Sequence, residues 1–171
     1  MVTALARNMA QACGLSATSL QFIEEAAMLH DIGIVRTHAP GIGCYGMAPY
    51  IAHVEEGRKM LEAEGLPQHA RVAATHIGLG GLTREDIQRQ QLPLPERDFS
   101  CVTDEERIIS LADLFFSKTP DKLFIPKRPE KVRQKLNRRS TALAERFDTW
   151  RRRYHLDAAL PPWVLAASAA S

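Results

Sequence analysis

Residues 26–33 read AAMLHDIG, an apolar helical run that ends in an imidazole beside a carboxylate, His30 and Asp31, followed by Ile32 and Gly33. Upstream, Leu20, Ile23, Ala26, Ala27 and Leu29 fall at the three- and four-residue spacings of one helix face, and Ser16 is placed to cap that helix. Gly33 is expected to stop it. The pair is thus expected at a helix end. An isolated His–Asp pair in such a place is most often a hydrogen-bonded structural pair, so the decision rests on what else the chain brings to the same interior.

Three residues change the balance, each on a different expected helix and each flanked by apolar neighbours. His53 lies in the first turn of a helix expected from about Tyr50 to Glu64, with Gly65 as its stop. His76 ends a short helix that follows Pro67 and is closed by Gly78, Gly80 and Gly81. Asp113 belongs to a helix opened by a Thr103–Glu106 capping box, whose buried side is Ile108, Ile109, Ala112, Phe115 and Phe116. An ionised Asp113 buried in LADLFF without a counter-charge would be costly, whereas a divalent cation supplies that charge and accepts neutral imidazoles. One shared metal site accounts for all five residues. Nitrogen and carboxylate donors together suit iron, manganese, zinc or similar first-row ions better than calcium.

The rest of the chain reads as helical and as one domain of 171 residues. Val2, Leu5, Ala6, Met9, Ala10 and Cys13 trace an opening helix stopped at Gly14. Residues 36–49, RTHAPGIGCYGMAP, have loop chemistry, and Thr83–Gln90 reads as one more short helix. LPLPERD at 92–98 reads as extended surface chain. A long basic helix carrying Val132, Leu136, Leu143, Phe147, Trp150 and Tyr154 is expected to run until Pro161 and Pro162. No segment alternates as a strand should, and no repeat is present. The glycines at 41, 43, 78, 80 and 81 follow no strand and open no helix, so they read as turns and not as a dinucleotide loop.

Apolar residues make up 45% and charged residues 25%, ordinary values, and no apolar run approaches the roughly 18–20 residues of a membrane span. The opening MVTALARNMAQACG carries Arg7 within its apolar pattern and has no secretory-signal layout, and Cys13, Cys44 and Cys101 form no C-x-x-C pair. A cytoplasmic protein with reduced thiols is the expectation. The net charge of +2 is uneven: residues 122–154 hold 12 of the 22 basic side chains against Glu130, Glu145 and Asp148. Such a stretch is more often a solvated face than a nucleic-acid contact, so a nucleic-acid partner is disfavoured. His69 and His155 are expected to be exposed and outside the cluster.

As a set, AAMLHDIG, HVEEG with His53, THIGLGG with His76 and LADLFF with Asp113 resemble the HD superfamily of metal-dependent phosphohydrolases, in the order and spacing of its small HDIG-type bacterial and archaeal members. The resemblance covers roughly residues 1–125, leaving 126–171 as a helical extension packed on the same domain. It implies an all-α helical bundle and one or two divalent metal ions (iron, manganese, magnesium, zinc, cobalt or nickel). His30, Asp31 and Asp113 would hold a first ion, and Asp31, His53 and His76 a second, with Asp31 the shared and catalytic carboxylate. The implied reaction is hydrolysis of a phosphoester or phosphoanhydride in a small nucleotide-like substrate, by a metal-activated water.

The chain departs from that family in two places. The family's further histidine on the first helix has no counterpart between Met1 and Leu29, its expected position falling just before Met1. The lysine that often follows HDIG is Ile34 here. Either the start of the domain is missing here, with the first helix truncated, or the chain is a degenerate domain that binds a nucleotide or a partner without catalysis. Arg36, His38 and Lys118 are candidates for holding a substrate phosphate. Assembly as a homo-oligomer is left open.

Overall fold

A computed structural model describes residues 1–166 and is all-helical apart from two very small sheets. Helix α1 (Val2–Ala12) packs against α2 (Ala17–Leu29), with Leu5, Ala6, Met9 and Ala10 facing Ile23, Ala26 and Ala27 in the core. Four of those seven are alanines, which let the two axes come close. The turn between the helices uses Gly14 at φ +68, a left-handed conformation that favours glycine. Ser16 then caps α2 by accepting the Ser19 N–H at 3.1 Å.

After α2 the chain tightens into a 3-10 turn over Ile32–Arg36. The loop that follows forms β1 (His38–Ala39), paired antiparallel with β2 (Cys44–Tyr45). A further 3-10 turn, Tyr50–Ala52, leads into α3 (His53–Ala63), and α4 (Pro67–Thr75) packs along it. Next, β3 (Gly81–Leu82) pairs antiparallel with β4 (Phe99–Ser100), and α5 (Arg84–Arg89) lies between them in sequence. Leu94 falls in LPLPERD, expected at the surface, yet it is buried with Val54, Ala74, Ile87 and Phe99. The flanking prolines keep this stretch extended, and in extended chain Leu92 and Leu94 share one face, which here turns inward.

Helix α6 (Asp104–Asp113) starts at Thr103, whose hydroxyl accepts the Glu106 N–H at 3.2 Å. Only half of the expected capping box forms. The Glu106 carboxylate instead accepts the Val102 N–H at 2.7 Å and pairs with Arg71 of α4 at 2.9 Å, tying α6 to α4. The expected long basic helix is two helices, α7 (Pro129–Asn137) and α8 (Thr141–Arg153), followed by the short α9 (Leu156–Ala159) and α10 (Pro162–Ala166). Ser140 takes an extended conformation between the first two. Arg133 contacts Asp148 at 2.9 Å, although their separation of 15 positions would span about 22 Å in one continuous helix. Folding back lets Leu136 of α7 and Phe147 of α8 reach the same core, so burial of both faces outweighs continuation of the helix.

The main core joins both parts of the chain: Met9, Ile23, Ile108 and Phe115 share one apolar cluster with Leu136, Phe147, Leu156 and Val164. Residues 167–171 of the expected extension lie outside the described residues. His155 is exposed as expected, but His69 is partly buried beside Phe22, with its Nε2 3.2 Å from Glu25. Among the described residues no helix is long and apolar enough to cross a membrane. Because Phe147 is fully buried in the shared cluster, Phe147→Ala should cost about 3–5 kcal/mol. It should lower the midpoint of a single urea transition; a second, separate transition would show that 126–166 folds on its own.

Candidate metal centre

The residues singled out by sequence all sit at helix ends. His30 follows the last residue of α2, Asp31 comes next, His53 opens α3, His76 follows the last residue of α4, and Asp113 ends α6. A side chain at a helix end can leave its helix along the axis. Four helix ends pointed at one place can therefore bring together residues up to 83 positions apart in sequence, from His30 to Asp113.

Gly33 controls how closely these ends approach. A Cβ at that position would lie 2.0 Å from the His53 carbonyl oxygen and 2.3 Å from the Gly57 nitrogen, so only a glycine lets the turn after Asp31 press onto α3. Its φ is not positive, and its role differs from the expected helix stop. Other contacts fix the neighbouring ends. Ser110 of α6 accepts the Gly80 N–H at 2.9 Å and donates to the Gly78 carbonyl at 3.2 Å, anchoring the turn after His76. Buried Glu55 of α3 takes Arg58 and Arg97 at 2.7 and 2.6 Å.

The three histidines share one local device. Each ring donates Nδ1–H to the backbone carbonyl three residues earlier: His30 to Ala27 at 2.7 Å, His53 to Tyr50 at 2.6 Å and His76 to Ala73 at 3.0 Å. A carbonyl can only accept, so in the neutral ring each Nε2 carries its lone pair toward the centre. This is how a metal-ligating imidazole is oriented.

Around Asp31 the cluster divides. Its Oδ1 lies 3.6 Å from His53 Nε2 and 3.4 Å from His76 Nε2, while its Oδ2 lies 3.1 Å from His30 Nε2 and 2.8 Å from Lys118 Nζ. Asp113 Oδ1 is 3.4 Å from His30 Nε2. One ligand atom each from His30, Asp31 and His76 lies within 4.8 Å of the others.

Three features fit a cation at this place. His30 Nε2 and Asp31 Oδ1 are buried without a hydrogen-bond partner, because the carboxylates near His30 lie within ionic distance but off the hydrogen-bond direction. Orphaned buried polar atoms of this kind are costly unless something meets them. His53 and His76 bring two Nε2 atoms to 3.3 Å with both Nδ1 atoms already donating, and two facing lone pairs repel unless a positive charge lies beside them. The donor set, imidazole nitrogen with carboxylate oxygen, suits first-row divalent ions.

The charges of the bare cluster are strongly perturbed. Burial pulls the His30 imidazole down, but the Asp113 and Asp31 carboxylates outweigh it and carry its pKa to about 10. Burial pushes Asp31 up, and contacts with His30 and His76 more than reverse this, holding it well below the usual carboxylate range. Asp113 is lowered in the same way, burial opposed chiefly by His30. Burial and then the neighbouring His76 push His53 down to about 4.

Of the expected phosphate-holding residues, only Lys118 reaches the centre. Arg36 and His38 are exposed, and neither lines the cleft of about 800 Å³ that opens from His30, Asp31 and Asp113. Tyr50 was not anticipated from sequence: its carbonyl orients His53, its ring lies 4.9 Å from the His53 ring, and it lines the cleft. Its position three residues before a helix-opening histidine was the available signal.

Residues 1–116 match the family model for the HD domain. The chain belongs to the HD domain family. HD domains are generally metal-dependent hydrolases, and they bind divalent metals. The uncharacterized protein MJ0778 of Methanocaldococcus jannaschii is 33% identical to this HD domain protein over 95 residues, 55% of this chain and 48% of that protein. The chain thus spans about half the length of that relative. Solved structures provide no significant match.

Two predictions follow from this geometry. Gly33→Ala should destabilise the protein by about 2 kcal/mol or more, since its methyl meets backbone and not a yielding side chain; a urea midpoint within error of the parent would contradict the close approach. In metal-free protein, folded His30 keeps its proton up to about pH 10, whereas unfolded His30 releases it near 6.5. Between those values the folded state binds more protons, so this group's stabilisation, complete below 6.5, is lost as pH rises. The urea midpoint should fall from pH 7 to 8.5, and His30→Gln should flatten that slope.

Proposed function

We propose that this HD domain is a phosphohydrolase that cleaves a phosphoester or phosphoanhydride of a small, nucleotide-like substrate. The observation that carries the reading is the convergence of three oriented imidazole Nε2 atoms on the two oxygens of Asp31, with His30 Nε2 and Asp31 Oδ1 buried and unmet. His30, Asp31 and Asp113 would hold one divalent ion, and Asp31, His53 and His76 a second. When bound, such ions lower the pKa of water and neutralise charge on a phosphoryl group.

The chain's own residues do the rest. Asp31 links the two halves of the cluster, so moving it disturbs both. The Nδ1 bonds hold the imidazoles in the tautomer that offers Nε2 inward. Lys118, whose ammonium rests on Asp31 Oδ2 at the cleft wall, is placed to take a phosphate oxygen; burial lowers its pKa, but Asp113 and Asp31 more than offset this and keep it charged.

The second reading is a binding module without turnover. Elemental analysis of the purified protein and an assay against a nucleotide panel separate the two. The hydrolase reading expects one or two divalent ions per chain and release of phosphate or nucleotide product. Asp31→Asn should lower that activity about a hundredfold or more and His76→Ala should reduce metal content. Metal-loaded protein that binds nucleotides but turns over none of them would establish the binding module instead.

A further inference from the structure

We propose that the segment beyond the family-matched residues supplies a second anion subsite, Lys127 with Lys135, and that the substrate carries a second phosphate beyond the one that reacts. The proposal rests on the reading above for where the first phosphate is held. It deepens that reading by naming the substrate class as a compound with two or more phosphates.

The cleft is built by two parts of the chain. Part of its lining is the metal centre, and another part comes from between residues 117 and 135, outside the stretch that matches the family. Three lysines line it, Lys118, Lys127 and Lys135. The acids of its described lining are Asp31 and Asp113, both committed to the ligand cluster. Cations held by that cluster would neutralise the two carboxylates, leaving three ammonium groups facing one cavity without counter-charge. A phosphomonoester brings about two negative charges, and a diphosphate brings more and extends further from the metal centre.

The three lysines are held in different ways. Lys118 rests on Asp31. Lys127 Nζ donates to the carbonyls of Leu114 and Phe116 at 2.9 and 2.5 Å, which pins the ammonium just past the end of α6. Lys135, on α7, is exposed and has no ionic or hydrogen-bond partner among the described residues. These charges feel one another: burial, then Lys135, and also Lys118, push the Lys127 ammonium below its ordinary pKa, with Asp113 opposing. With the two carboxylates taken up by cations, like charges gathered in one cleft are unfavourable and are relieved by a bound polyanion. In the same cleft, Ile42, Leu123 and the exposed ring of Phe124 offer an apolar surface for the organic part of the substrate.

The test compares AMP with the non-hydrolysable α,β-methylene analogue of ADP, which share base and sugar and differ by one phosphate. Binding is measured by calorimetry on manganese-loaded full-length protein, with hydrolysis of AMP and ADP followed in parallel. The analogue should bind more tightly than AMP. Lys135→Ala should shrink that preference roughly three- to tenfold, and Lys135→Arg, which keeps the charge, should retain most of it. Lys135 is solvent-facing, so the variant tests charge and not folding; a circular dichroism melt matching the parent verifies this. A preference that collapses in Lys135→Ala without any turnover supports the subsite while defeating the hydrolase reading. Turnover with equal affinity for the two ligands, or an equal loss for both in Lys135→Ala, overturns the subsite and leaves the hydrolase reading standing. Failure of either ligand to bind overturns the subsite as well.

Discussion

The absence of a side chain at Gly33 is the constraint on which this structure depends. The turn after Asp31 lies directly on the first two turns of α3, with space for no more than a hydrogen at that Cα. Everything at the centre follows from this contact. It sets the height of Asp31 relative to His53, brings the Asp31 carboxylate between imidazoles from different helices, and leaves Gly57 as the matching small residue on α3. Protein interiors are packed too tightly to absorb an extra methyl here by small adjustments.

Building a polar centre from helix ends solves a problem that helix middles could not. A histidine in mid-helix has neighbouring carbonyls engaged in the helix ladder, whereas at these ends the carbonyl three residues earlier has capacity to accept Nδ1–H, the Tyr50 carbonyl taking it together with the His53 backbone N–H. His30, His53 and His76 all use that acceptor, and each ring is thereby turned with Nε2 inward. The cost is a buried group of like lone pairs and carboxylates that the protein itself leaves unbalanced. A cation relieves it, and the same imbalance couples the centre to protons when no cation is present.

Much of this was legible in the sequence, because the chemistry-bearing residues are also the residues that break helical periodicity. His30 and Asp31 stand where the α2 pattern stops, His53 where α3 begins, and His76 just before a run of glycines. Short-range signals sufficed for Ser16, Gly14 and Thr103 as helix boundaries. They failed where the outcome was set by distant partners. The Val132-to-Tyr154 pattern is compatible with one helix, and it splits at Ser140 because two shorter helices can bury Leu136 and Phe147 in a core supplied by α1, α2 and α6. Leu94 was misplaced for the same reason, its burial depending on Val54 and Phe99.

The sequence by itself determined the helical class, the ends of most helices, and the five candidate side chains that the fold gathers around Asp31, since each of these is written in spacing and residue type over a few turns. Tertiary structure alone decided which oxygen of Asp31 meets which imidazole, that Lys118 and not Arg36 or His38 stands at the centre, and that lysines beyond the family-matched segment face the cleft. Those facts depend on how helices far apart in the chain are oriented toward one another, and orientation is settled by packing across the core, which no local pattern encodes.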